Sequence, residues 1–269
     1  AYARELALDL IITDHHESAA VQGRDTEPDP SRMPHAVAVI HPSRLSSGVP
    51  PETRERVGSL TGVGIAFKLA QALLDARSDD QRLVQYLDLV ALGTVADMGR
   101  ITGENRVLVR HGLASLSGQS SSLRPGIAAL KQVAGISGKK VTVGTVGFTL
   151  APRINASGRI NKADTAFRLL ISDDRDEALS LATLLDDVNR ERQVLEERTW
   201  SDARELCIAE DLGSTGAFIL ASEDWHPGVV GIVASRIVEE FYRPTGLIAV
   251  KDGVGKGSAR SVPGFDLYH

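Results

Sequence analysis

The sequence predicts an α/β fold: two α/β domains joined by a long helix. Three observations carry this. The short apolar run Leu6–Thr13 is rich in β-branched residues and reads as a buried strand of a parallel sheet. Ala178, Leu181, Leu185, Val188 and Leu195 recur at helical spacing along a stretch whose other positions are mostly charged. A fresh strand–helix–strand pattern then begins at Ala217.

The elements follow in order. Ala36–Ile40 is a second strand, and residues 42–58, with Pro42, Gly48, Pro50 and Pro51, form a polar loop. Thr61–Ala76 is a helix with Gly62 and Gly64 near its start. Residues 81–97 carry a helical period through Leu83, Leu87, Val90 and Ala91 and end at Val95-Ala96-Asp97-Met98. Helices are expected at 105–116 and 125–134. Ser172-Asp173-Asp174 suits a helix start, because these side chains accept the free N–H groups of a first turn. From there one helix runs to about residue 209 and spans about 50 Å. A local coiled coil is the alternative, with Arg192 interrupting its stripe. Ala217–Ala221 is a strand, Gly228–Phe241 a helix and Gly246–Val250 a strand, followed by the glycine-rich, basic stretch 253–262. The expected division is 1–171, a connecting helix over 172–212, and 213–269.

The chain has 269 residues, 42% hydrophobic and 24% charged, enough for a sizeable core and two domains. No apolar run approaches the roughly 18–20 residues that span a bilayer. The first residues, Ala1-Tyr2-Ala3-Arg4-Glu5, lack the pattern of a signal peptide. A single cysteine, Cys207, excludes an internal disulfide and a cysteine-rich zinc site. These features fit the cytoplasm. The net charge of −5 argues against a nucleic-acid binder until its distribution is read. Residues 131–168 hold seven bases (Lys131, Lys139, Lys140, Arg153, Arg159, Lys162 and Arg168) against Asp164 alone. Residues 171–211 hold thirteen acids and five bases. A basic stretch of this kind either neutralises phosphates or is a solvated face.

Five segments could carry chemistry. Asp14-His15-His16 follows a predicted strand end, where ligands gather in open α/β sheets. Neighbouring side chains of an extended chain point opposite ways, so one imidazole can ligate a metal while the other faces substrate, with Asp14 fixing a ring tautomer. The alternative is a surface loop with two ordinary histidines. Asp97 closes an apolar helix, either as a turn residue or, if it meets His15 in space, as a metal ligand. Ala151–Arg159 sets Arg153, Asn155 and Arg159 among small residues, which suits phosphate contact; pairing with the acidic helix that follows is the other reading. Trp225–Arg236 places His226 just before a glycine-rich helix start, suited to an anion or to tight packing. Gly255–Ser261, with Ser258 and Arg260, is a phosphate pocket or a glycine-rich hairpin.

Taken together and in this order, these segments resemble the RecJ branch of the DHH phosphoesterase superfamily, essentially along the whole chain. Val262-Pro263-Gly264-Phe265-Asp266-Leu267 adds to the likeness. The resemblance implies a DHH phosphoesterase domain over 1–171, the connecting helix, and a smaller DHH-associated, substrate-binding domain over 213–269, with a cleft between the domains. It implies a metal-dependent exonuclease that removes nucleotides from single-stranded DNA in the 5′ to 3′ direction during repair and recombination. His15 and Asp97 would ligate a Mn²⁺ or Mg²⁺ pair, Asp14 would orient His15, and His16 would contact the scissile phosphate. Arg153, Asn155 and Arg159 would line the nucleic-acid path. His226, Ser258 and Arg260 would come from the second domain, the last two near the 5′ end. The partner is single-stranded DNA rather than a membrane, the protein a monomer, and replication or repair proteins are further partners. The family's Asp-x-Asp motif, which lies upstream of Asp-His-His, has no match in the thirteen residues before Asp14. The chain is therefore expected to be a piece cut at both ends, weak or inactive by itself. The rival readings are a DHH phosphoesterase acting on oligoribonucleotides or cyclic dinucleotides, and a non-catalytic DNA-binding relative.

Overall fold

The computed structural model describes residues 2–16, 36–42, 44, 48–75, 81–118, 123–160, 163–210 and 216–267. Lys162, counted in the basic stretch, and Ala76, the expected end of a helix, lie outside them. The residues pack as two compact units, Ala1–Leu123 with Ile136–Ala151, and Arg124–Gly135 with Pro152–His269. Among the described residues no single helix is long and apolar enough to cross a membrane.

In the first unit, α1 (Tyr2–Glu5) precedes β1 (Ile11–Thr13), which pairs in parallel with β2 (Ala38–Ile40), Ile12 opposite Val39. The strand expected over Leu6–Thr13 is shorter, because Tyr2–Glu5 are helical and Ala7 has a φ of 52°. It is also not buried: Ile11 is 54% exposed, since β2 is the only described strand beside it. The expected loop over 42–58 contains α2 (Pro51–Val57). Pro51 sits in its first turn, where the missing N–H costs nothing. α3 (Gly62–Asp75) follows. The single helix expected over 81–97 is broken by a turn at Gln85-Tyr86 into α4 (Gln81–Val84) and α5 (Leu87–Ala96). α5 packs on α6 (Gly103–Leu116). Leu60, Ile65, Val90 and Leu108 form a buried cluster against which Ile40, Val63 and Phe67 pack.

After α7 (Pro125–Val133), which packs with the second unit, the chain returns to the first. Residues 143–160, for which the hydrophobic pattern predicts no element, are helical. α8 (Val143–Thr145) opens on a capping box between Thr142 and Thr145. A five-residue π-helix (Val146–Leu150) packs on α5 and leads into α9 (Ala151–Ile160). Pro152 lacks the N–H that would bond the Phe148 carbonyl in a regular α-turn, and the wider π-turn immediately precedes it.

The second unit holds α9 from Pro152 onward, α10 (Asp164–Ile171) and α11 (Arg175–Ala209), with α7 packed on α11. α11 is the expected long helix, 35 residues capped by Asp174, whose carboxylate accepts from the N–H groups of Asp176 and Glu177. Arg192 does not end its stripe, because Asn189 and Glu196 on the same helix accept its guanidinium hydrogen bonds. The packing therefore does not break after residue 171, since α7, α10 and nearly all of α9 belong to the unit that contains α11.

The chain ends in β3 (Phe218–Ser222), α12 (Val230–Phe241), β4 (Thr245–Lys251) and β5 (Val254–Arg260). β3 and β4 are parallel with α12 as their crossover, and β4 turns back antiparallel into β5 through left-handed Asp252 and Gly253. Residues 253–262 are thus a glycine-rich hairpin strand. Phe218, Leu220, Val233, Ile237 and Leu247 pack with Ala203 and Cys207 of α11 into a second buried cluster.

Candidate functional site

The first site is built where β1 and α5 end. Asp97 caps α5, and a Schellman turn follows it: Met98 N–H donates to the Val95 carbonyl at 3.1 Å and Gly99 N–H to that of Thr94 at 3.0 Å. Met98 fills the left-handed position, φ 56°, that glycine usually takes. The turn presents the Asp97 carboxylate to His15 just beyond β1, with Asp97 Oδ2 3.3 Å from His15 Nε2. Gly62 lets the start of α3 approach this imidazole; a Cβ there would stand 3.3 Å from His15 Cδ2.

Asp14 serves His16 rather than His15. Its Oδ1 accepts from the backbone N–H of His15 at 2.7 Å and of His16 at 3.2 Å, and lies 2.7 Å from His16 Nδ1. The orientation of His15 by Asp14, expected from the resemblance, is therefore not what the structure shows. The reason is local: one turn after the strand, the His16 ring folds back over the carboxylate. The His16 hydrogen bonds, and then that of His15, hold the Asp14 carboxyl well below the usual carboxylate range. The same hydrogen bond and the charge of Asp14 raise the His16 imidazole above its ordinary value.

Asp14, His15 and His16 each offer a ligand atom within 4.8 Å of the others. Two ligands on one ion, at bonds of about 2.0–2.2 Å, lie no farther apart than about 4.4 Å. The His15–Asp97 separation fits that limit, and imidazole nitrogen with carboxylate oxygen suits a divalent ion such as Mn²⁺. His41, directly after β2, is a neighbour that the motifs do not single out. Its Nε2 lies 2.9 Å from the His16 carbonyl oxygen. A signal for it exists in the sequence, since His41 follows a predicted strand end as Asp14 does.

The second unit gathers the remaining residues around the start of α12. His226 Nδ1 accepts from Gly228 N–H at 3.1 Å, and Arg159 Nη1 donates to the Gly228 carbonyl at 3.3 Å. Gly228 is needed there, because a Cβ would fall 2.4 Å from the Arg159 carbonyl oxygen. One turn on, Gly231 faces Ser258 and Arg260 of β5; a Cβ on it would lie 3.0 Å from Ser258 Oγ and 3.4 Å from Arg260 Nη2. Arg260 Nη1 donates to Ser258 Oγ at 3.1 Å. An exposed arginine and a hydroxyl at the start of a helix form a surface suited to an anion. Asn155 is exposed on α9. Arg153 points elsewhere: its Nε donates to Asp186 Oδ1 of α11 at 2.8 Å, and Asp186 also accepts from Arg190 at 2.5 Å. The pairing with the acidic helix is thus present at Arg153. Nothing in the sequence marks Asp186, because a carboxylate in a charged helix gives no local sign that it will be buried.

The two units define a class: an α/β protein with a histidine–carboxylate cluster whose geometry could hold a divalent ion, and with an exposed arginine and hydroxyl at a helix start. No protein-family model matches the chain. Known proteins match it end to end. It is 41% identical to the single-stranded-DNA-specific exonuclease RecJ of Bacillus subtilis over 99% of its own length, and 37% identical to the Escherichia coli RecJ over 99%. A crystal structure of exonuclease RecJ bound to manganese superposes with a TM-score of 0.75 at 35% identity, covering 99% of this chain and 60% of that one. The chain is thus a relative of the RecJ exonucleases. It spans 31% of the Bacillus subtilis protein and 45% of the Escherichia coli one.

Proposed function

We propose that this chain belongs to a single-stranded-DNA-specific 5′–3′ exonuclease of the RecJ kind, which hydrolyses phosphodiesters with Mn²⁺ or Mg²⁺ in DNA repair and recombination. The observation that carries it is the meeting of His15 and Asp97 at 3.3 Å, from segments far apart in a chain related throughout to RecJ.

In this reading His15 and Asp97 hold the metal. When bound, the ion polarises the phosphodiester and makes a water nucleophilic near neutral pH. Asp14 fixes the His16 ring with one nitrogen toward its own carboxylate, which leaves the other for a phosphate oxygen. Arg159 and Asn155 contact the strand, while Ser258, Arg260 and His226 hold its 5′ end. Arg153, tied to Asp186, acts from the edge of that path. The sequence-derived arrangement is part of the proposal: a DHH domain and a DHH-associated domain, joined by the long helix, face a cleft that admits one strand. So are a cytoplasmic location, a monomeric state and replication or repair proteins as further partners.

The test is hydrolysis, by the longer protein that this chain belongs to, of 5′-phosphorylated single-stranded and duplex oligonucleotides, cyclic dinucleotides and short oligoribonucleotides with Mn²⁺. Release of 5′ mononucleotides from single strands, abolished in Asp97→Asn, is expected. Preference for the small substrates would overturn the reading in favour of a small-substrate phosphoesterase. A strand that is bound but never cut would favour a non-catalytic relative.

A further inference from the structure

We propose that Asn105 and Thr94 are positioning residues for the His15–Asp97 pair, an inference that rests on the metal-holding role given to that pair above. Both side chains are polar and fully buried. A buried polar group costs stability unless it is hydrogen-bonded, so the partners of each are informative. Those partners belong to the segment Ser59–Gly62, which touches both halves of the pair. Gly62 faces the His15 ring, where a Cβ would stand 3.3 Å from Cδ2. Thr61 packs on the turn after Asp97: a Cβ on Gly99 would fall 2.4 Å from Thr61 Cγ2 and 3.1 Å from the Thr94 carbonyl oxygen. Ser59, Thr61, Gly99 and Arg100 line one cavity together with His15 and Asp97.

Two clasps fix this segment to the Asp97 turn. Asn105, in the first turn of α6, donates from Nδ2 to the Ser59 carbonyl at 2.6 Å and to the Arg100 carbonyl at 3.0 Å. One amide thus joins the start of the segment to the loop that leaves Asp97. Both partners are acceptors, so an amide suits the place where a carboxylate would repel them. The Thr94 and Thr61 hydroxyls lie 3.2 Å apart and join the middle of the segment to α5, three residues before Asp97. The pair needs such support. The Asp97 side chain is 46% exposed, and an ion pair in that much water is too weak to fix a separation by itself. Metal ligands must hold their distances to within about 0.2 Å. The buried clasps supply the rigidity that the exposed pair lacks.

The test uses the longer protein that this chain belongs to and Mn²⁺ alone, with the free ion followed by electron paramagnetic resonance. Asn105→Ala should weaken Mn²⁺ binding by about 10- to 100-fold, the range for residues that hold metal ligands in place. Thr94→Val removes one hydroxyl and is the milder change if Asn105→Ala does not fold; it should weaken binding in the same direction by less. Urea unfolding in EDTA measures the stability that each variant loses. Leu108→Ala, which opens a cavity beside the same helix, should lose stability and keep its Mn²⁺ affinity. An affinity unchanged in one of the two variants would strike that residue from the role. An affinity unchanged in both, or weakened as far by Leu108→Ala, would overturn the positioning role and leave the metal pair standing. A wild type that binds Mn²⁺ no better than Asp97→Asn would overturn the metal-holding reading as well.

Discussion

Removing the carboxylate of Asp186 should destabilise the second unit far more than removing Arg190, the exposed partner of its ion pairs. The Asp186 side chain is 5% exposed between two arginines, one 17% and one 69% exposed. Asp186→Ala removes the carboxylate that the partly buried Arg153 Nε donates to. Breaking a buried pair from one side costs about 3–5 kcal/mol, and access of Arg153 to some solvent places the expected loss near the lower end, about 3 kcal/mol. Arg190 is mostly in water, so Arg190→Ala should cost at most about 1 kcal/mol. A double-mutant cycle should then give a coupling of about 2 kcal/mol for Asp186 with Arg153 and below about 1 kcal/mol for Asp186 with Arg190. Both tryptophans, Trp200 and Trp225, lie in the same unit as Asp186. Urea unfolding followed by tryptophan fluorescence therefore reads this unit alone. Equal losses in Asp186→Ala and Arg190→Ala would refute the argument, because they would mean that burial does not set the strength of the pair.

Three further outcomes are expected. Met98→Gly should stabilise the first unit by about 0.5–1 kcal/mol, as glycine relieves the left-handed strain at the end of α5 at some cost in unfolded-chain entropy; circular dichroism in denaturant measures it, and a destabilised variant would mean that the Met98 side chain holds the turn. Arg260→Ala should weaken binding of 5′-phosphorylated strands by about 1.5–3 kcal/mol more than 5′-hydroxyl strands, and equal weakening would reduce Arg260 to general basic surface. Glu177 is held below its ordinary value of 4.5, first by the Ser172 hydroxyl and then by Arg168. A depressed native value means that its stabilisation is present above the unfolded value and is lost as pH falls through the native one. The stability gap between wild type and Glu177→Gln should therefore be constant near neutral pH and shrink in acid, and a gap independent of pH would contradict the pairing.

The long helix was legible in the sequence because an amphipathic stripe and an acidic N-cap are local signals: Asp174 caps it and Ala178, Leu185 and Val188 are buried as the spacing required. The alternation of strand, helix and strand after residue 217 was legible for the same reason. The helical run 143–160 was not, since Gly144, Gly147, Pro152 and Gly158 disguise it and its stability comes from packing of Val146, Leu150 and Ala156. Asp14, His15, His16 and Asp97 could be named from motifs, but their roles toward one another could not. Which imidazole Asp14 holds depends on how the backbone bends at His16, and whether Asp97 reaches His15 depends on where the end of α5 is set by its packing on α6. The burial of Asp186, and with it the tether on Arg153, was likewise decided only in three dimensions. Sequence determines what each segment is able to form, because propensity, caps and residue chemistry act over a few residues. Tertiary structure decides which of those groups meet, because burial and distance are properties of segments that the chain order leaves far apart.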